Sequence, residues 1–183
     1  MPDTPERLYF AYGSNINLDQ MARRCPNAEA VATVTLNGYR LLFRGSFPDN
    51  GVATIAPDPT KQVKGLLWKL TPECEQSLDR YEGFPYLYGK EDVTVMDKDG
   101  NAYTVMAYIM TREYDLQPSY PSVPYYTGIA RGYEQNGLPL KGLRDALSYC
   151  QKEIDERYAD STRLRSGPAT VPPRRKSPKD FER

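Results

Sequence analysis

Four short β-rich runs stand in close succession: "AVATVTL", "YRLLFRG", "GVATIAP" and "VKGLLWKL". They are separated only by clusters of Gly, Pro, Asn and Asp, which leaves no room for crossover helices. Strands joined this tightly pair antiparallel, as a meander or a barrel. Residues 7–12, "RLYFAY", precede them as a further strand: short, aromatic and bounded by Gly13. "KEDVTVMDKDGNAYTVMAYIM" adds a hairpin that turns at Asp99-Gly100.

Two helices are expected among these strands, and two after them. Residues 17–24 form a short one, with Ser14, Asn15 or Asn17 available as cap. Thr71 followed by Pro72 opens a second, which runs to about Tyr81 and is stopped by Gly83 and Pro85. Ser122 enters a third, and Gly137 with Pro139 ends it. The last is marked by Leu140, Leu143, Leu147, Cys150, Ile154 and Tyr158, which recur on one face. From Ser161 the composition changes to four prolines and seven basic residues against two acidic. The expected organisation is one domain over 1–160 and a basic, Pro-rich, disordered tail over 161–183.

Charge and composition exclude several function classes. Lys plus Arg equals Asp plus Glu at 24 each, so no basic surface calls for nucleic acid. No apolar stretch approaches the ~20 residues needed to span a bilayer. The start, "MPDTPERLYF", has neither a charged-then-apolar leader nor a cleavage site. Cys25, Cys74 and Cys150 are far apart and odd in number, which suits reduced thiols and a cytoplasmic protein. The chain has no histidine. Ser-His-Asp and Cys-His catalysis and His-liganded metals are therefore excluded, and any proton transfer rests on Asp, Glu, Lys, Tyr or Cys. No metal and no cofactor is expected.

Two stretches carry chemistry. "YGSN", Tyr12 to Asn15, joins a strand to a helix, and successive N–H groups at such a turn make a concave site for an anion or a polarised carbonyl oxygen. The same residues also suit a plain connection with a capping serine. The turn lacks the GxGxxG of a dinucleotide site and the lysine of a phosphate loop. The second stretch is "LDRYEGFPYLY". Glu82 stands beside Tyr81, Phe84, Tyr86 and Tyr88. A carboxylate among aromatic rings loses hydration and its pKa rises toward neutrality, as a general base requires.

"YGSN", "LDRYEG" with Tyr88 and a following "VTV" strand, and "PSVPYYTGIARGYEQNGLP" occur in an order and spacing that resembles the γ-glutamylcyclotransferase-like (AIG2-like) family, over roughly residues 8–140. Ile16 stands where that family often has Leu. The likeness is greater to the γ-glutamylcyclotransferase branch than to the ChaC-like or γ-glutamylamine branches. It implies an α+β fold, a small mixed β-barrel with surrounding helices. It also implies a cofactor-independent, cytoplasmic enzyme that converts a γ-glutamyl amide into 5-oxoproline and a free amine. Carried over by position, Glu82 is the catalytic acid–base residue. Tyr12, Gly13, Ser14 and Asn15 form the substrate loop, and Tyr88 and Tyr125 line the pocket. The expected partner is a small γ-glutamyl molecule, not nucleic acid or membrane. Two other readings use the same fold: a non-catalytic binding module, and a sibling enzyme that removes a γ-glutamyl group from a biosynthetic intermediate or a protein.

Overall fold

A computed structural model describes residues 6–114 and 117–163. Five strands close into a barrel in the order β1-β3-β2-β4-β5. They are β1 (Arg7–Ala11), β2 (Glu29–Arg44), β3 (Val52–Leu70), β4 (Tyr88–Met96) and β5 (Ala102–Met110). Four helices surround them: α1 (Leu18–Arg24), α2 (Pro72–Glu82), α3 (Val123–Gln135) and α4 (Lys141–Arg163). None is long and apolar enough to cross a membrane.

The barrel is two antiparallel hairpins joined by β1, which pairs antiparallel with β3 and parallel with β5. Phe10, Leu36, Phe43, Leu67, Val95 and Met106 belong to the core and are almost fully buried. The four runs expected between residues 30 and 70 are two long strands instead. Each pair of runs continues across an interruption that the other strand tolerates. Gly38 takes a φ of 79°, and pairing jumps from Asn37↔Gln62 to Tyr39↔Pro57. Residues 58–61 bulge out opposite Gly38, held by an Asp58 carboxylate that accepts from the Thr60 amide at 2.9 Å and its hydroxyl at 2.7 Å. Pro and Asp read as a strand break when they only mark a bulge.

The helices start and stop on the expected residues. Asn17 caps α1, Thr71 caps α2 and Ser122 caps α3 through their side chains. Gly83 ends α2 in the left-handed region at φ 65°. The α4 stripe of Leu143, Ala146, Leu147 and Cys150 is buried, and Arg44 on β2 grips Glu153 of α4 with two contacts at 2.7 and 2.9 Å. This helix continues to Arg163, past the expected boundary at residue 160, and residues 164–183 of the proposed tail lie outside the described residues.

Helix α3 fixes the turn after β1. Asn136 Nδ2 donates to the Ile16 carbonyl at 3.0 Å, and Asn17 Nδ2 donates to the Gly128 carbonyl at 2.8 Å. A Cβ at Gly132 would lie 2.6 Å from the Asn17 nitrogen and 2.8 Å from the Ile16 carbonyl carbon. Alanine is better than glycine in a helix by about 1 kcal/mol, but overpacking against backbone costs about 1–3 kcal/mol. Gly132→Ala is therefore expected to lower the thermal unfolding temperature by several degrees. Gly142→Ala in α4, where no atom lies within 4 Å of the new methyl group, should not lower it. Circular dichroism melts of both variants make the comparison.

Candidate active site

The strand β1 ends at Ala11, and the chain then makes a single 3-10 turn, Ser14–Ile16, before α1. Ser14 and Asn15 are buried although polar. Trp68 on β3 donates its indole N–H to the Asn15 carbonyl at 2.9 Å. The Gly13 and Ser14 carbonyls accept from the Ile16 and Asn17 amides, both at 3.1 Å. The N–H groups of Gly13, Ser14 and Asn15 donate to no acceptor among the described residues, so three adjacent donors remain open. Gly13 has a φ of −111°, so its value here is room: a methyl group would come to 3.2 Å from Ala53 Cβ and 3.7 Å from the Tyr125 hydroxyl.

Glu82 is the last residue of α2, and its Oε1 accepts from Asn15 Nδ2 at 2.9 Å. Helix α2 is held in place one turn earlier. Asp79 accepts from the Tyr108 hydroxyl at 2.5 Å and pairs with Lys90 at 2.8 Å, while Glu75 pairs with Lys90 at 2.6 Å and with Arg7 at 2.8 Å. Glu82, Tyr9, Tyr12, Gly13, Ser14, Asn15, Ala53, Tyr88, Tyr108 and Tyr125 together wall a narrow slot with about 30 Å³ of enclosed space. Larger depressions exist, one of about 620 Å³ between β2, β3 and α4, where the lining carboxylate Asp145 is exposed and paired with Lys141.

Burial pushes the Glu82 carboxyl up to about 7, against the opposing influence of Arg24 and the Asn15 hydrogen bond. Removing hydration penalises the charged form, and the carbonyl end of α2 acts in the same direction. The site thus contains a carboxyl group poised to gain or lose a proton near neutrality. Burial also raises the hydroxyls of Tyr9, Tyr12, Tyr88 and Tyr125 above the ordinary phenol value, so they stay protonated. Two of these protons are committed: Tyr12 donates to the Tyr108 carbonyl, and Tyr88 to the Ala53 carbonyl at 2.6 Å. The other two hydroxyls act as acceptors. Tyr125 receives the Ala53 amide at 3.0 Å, and Tyr9 receives Asn15 Nδ2 at 3.0 Å, so each keeps its own proton to donate.

All seven expected site residues therefore meet in one place, although Glu82 is 67 residues from Asn15. The expected surroundings of Glu82 need correction. Of Tyr81, Phe84, Tyr86 and Tyr88, only Tyr88 lines the slot. Gly83 turns the chain away, leaving Tyr86 73% exposed and Phe84 37% exposed. The rings that dehydrate the carboxyl come from β1, β4, β5 and α3. Arg23 is exposed, whereas its neighbour in sequence, Arg24, reaches the loop. Tyr9, Tyr108 and Arg24 carried no local signal.

The family model described as gamma-glutamyl cyclotransferase, AIG2-like, matches residues 9–127. The human gamma-glutamylcyclotransferase is 35% identical over 147 residues, covering 76% of this chain and 77% of that protein. The bovine gamma-glutamylcyclotransferase is 36% identical over 141 residues, covering 73% of each. A solved gamma-glutamyl cyclotransferase structure superposes with a TM-score of 0.69 at 28% identity, over 97% of this chain and 96% of that one. A glutathione-specific cyclotransferase from yeast shares the fold alone, at 14% identity and a TM-score of 0.60 over 81% of this chain and 96% of that one. With the barrel, the matched segment and these identities in agreement, the chain belongs to the gamma-glutamyl cyclotransferase, AIG2-like family of enzymes.

Proposed function

We propose that this enzyme converts a γ-glutamyl amide into 5-oxoproline and a free amine, with Glu82 as the single acid–base group. The observation that carries the reading is the Glu82 carboxyl, raised to about 7 and lining one slot with residues 13–15, whose amides have no acceptor among the described residues. The names of the relatives support the same reaction class.

The chemistry asks little of the protein. The α-amine and the γ-carbonyl belong to one molecule, and well-oriented intramolecular attack gains on the order of 7–11 kcal/mol. The α-ammonium first gives a proton to ionised Glu82, which frees its lone pair. The nitrogen attacks the γ-carbon, and the carbonyl oxygen becomes an oxyanion. The open amides of residues 13–15 can receive either that oxygen or the substrate's carboxylate. Glu82 then returns its proton to the leaving nitrogen as the carbon–nitrogen bond breaks. The second proton leaves the ring nitrogen and completes the departing ammonium, so none is gained or lost overall. Tyr9 and Tyr125 offer neutral donors, while Tyr12 and Tyr88 serve through their rings, their protons being held by backbone carbonyls.

Glu82→Gln keeps the shape and the contact with Asn15 but removes the base. It should reduce kcat by ~10²-fold or more in an assay of 5-oxoproline formation from γ-glutamyl dipeptides. Unchanged turnover would remove Glu82 from the mechanism.

The wild-type rate should fall on the acid side with a midpoint near pH 7, because protonated Glu82 cannot accept the ammonium proton. A kcat/KM profile between pH 5 and 9 reads it directly.

Stability should move the opposite way. A carboxyl whose folded pKa is raised stabilises most while protonated, and that contribution is lost as pH rises from about 4.5 through about 7. Glu82→Gln escapes this loss, so at pH 8 the variant should melt a few degrees higher than wild type by calorimetry.

A further inference from the structure

The Asn15 side chain stands between a cation and the Glu82 carboxyl. Arg24 Nη1 lies 2.7 Å from Asn15 Oδ1, and Asn15 Nδ2 lies 2.9 Å from Glu82 Oε1 and 3.0 Å from the Tyr9 hydroxyl. A guanidinium can only donate, so it decides which end of the amide faces it. With Oδ1 claimed by Arg24, both hydrogens of Nδ2 point to Glu82 and Tyr9. A flipped amide would set its own N–H against the guanidinium and its oxygen against the carboxyl, replacing attraction with repulsion at both ends.

Arg24 is itself fixed. Nη1 also donates to Ser14 Oγ at 3.0 Å and Nη2 to Gln20 Oε1 at 2.8 Å, while its guanidinium carbon sits 3.7 Å from the centre of the Tyr81 ring. The Arg24 carbonyl accepts from Ser77 Oγ on α2 at 2.8 Å, which ties the end of α1 to the helix that carries Glu82. All three of the guanidinium's acceptors are neutral, and it makes no ion pair with a carboxylate among the described residues.

We propose that Arg24 is a positioning residue for Glu82: acting through Asn15, it fixes the direction of the amide that holds the carboxyl, and it brings a positive charge that has no carboxylate partner among the described residues. The proposal rests on the reading of Glu82 as the base. The other titratable groups facing the carboxyl are Tyr9 from β1, Tyr12 just beyond it, Tyr88 from β4, Tyr108 from β5 and Tyr125 from α3. Burial holds these hydroxyls protonated across the neutral range. On α2 itself, Tyr81 stacks on Arg24, and Asp79 is neutralised by Lys90. Arg24 is thus the charge whose removal alters Glu82.

The test uses Arg24→Met, which keeps the stem and loses the charge and the fork, and Arg24→Lys, which keeps the charge. Glu82 is titrated directly by infrared difference spectra in the carboxyl region, with Glu82→Gln as the blank, alongside the pH profile of 5-oxoproline formation. Arg24→Met is expected to move the Glu82 midpoint up by about 1 unit, as for loss of a nearby opposite charge. At pH 7 the ionised fraction then falls from about one half to about one tenth, a roughly fivefold loss of rate that is recovered at pH 9. Arg24→Lys is expected to return the midpoint toward that of wild type. An unmoved midpoint with equal loss at every pH would overturn the proposal and leave Arg24 as a brace of the fold. If Arg24→Met does not fold, Arg24→Gln carries the same test. If wild type makes no product from any γ-glutamyl compound, the functional reading fails, while the infrared titration still decides the role of Arg24.

Discussion

Asn15 is gripped from four elements at once, and the rest of the site follows from that grip. Trp68 of β3 holds its carbonyl, Arg24 of α1 its side-chain oxygen, and Tyr9 of β1 and Glu82 of α2 its side-chain nitrogen. A buried amide with an unpaired donor or acceptor costs about 1–3 kcal/mol, so each partner is strongly selected once Asn15 is inside. The backbone beside it is clamped by Asn136 and by the bare face of α3 at Gly132. Because the turn is locked from behind, its amides can stay open in front without collapsing onto another acceptor. The barrel makes this convergence possible: β1 lies between β3 and β5, so its end is placed against both hairpins.

Much of this was legible in the sequence, for local reasons. Caps at Thr71 and Ser122, the stop at Gly83 and the stripe on α4 each depend on residues within a few positions. The seven residues expected at the site, which meet in one slot, were named through motif and resemblance together. What failed to show depended on distance. Glu82 was expected to be dehydrated by the aromatics next to it in sequence, yet Gly83 sends Tyr86 and Phe84 outward and the enclosing rings arrive from other strands and from α3. Arg24 looks like its neighbour Arg23 in sequence, and only the 100° step of the helix separates an exposed cation from one pointing into the loop. The four apparent strands merged into two because a bulge at Gly38 reads locally as a break. The match to the "PSVPYYTGIARGYEQNGLP" block also acquires a physical reason. Its Gly128, Gly132 and Asn136 lie against the loop after β1.

The lack of histidine shapes the electrostatics of the site. A histidine titrates near neutrality without help. A glutamate must be moved there by more than two units, and burial is the means. Burial of an acid has to be done with walls that neither ionise nor repel it. Tyrosine meets that condition, because its ring excludes water while its hydroxyl satisfies a nearby backbone group or amide. Five of the chain's fifteen tyrosines line this one slot. Since all five remain neutral, their contribution to the local field is nearly constant between pH 5 and 9, and a single charge becomes decisive.

That constancy also limits how far the carboxyl can be shifted. In the proposed reaction a protonated Glu82 cannot accept the ammonium's proton, and dehydration favours that protonated form. Without any dehydration it would be ionised but too weak a base to take that proton. Arg24 and the Asn15 amide oppose burial, and the balance falls near 7, where a carboxyl both accepts and returns a proton readily. A lysine pointing directly into the slot would overshoot, forming an ion pair and lowering the carboxyl well below neutrality. Placing the cation behind a neutral amide lets it act on the carboxyl without a direct ion pair. The geometry of Asn15 is thus a means of dosing an electrostatic effect, with the amide carrying direction and the guanidinium carrying sign.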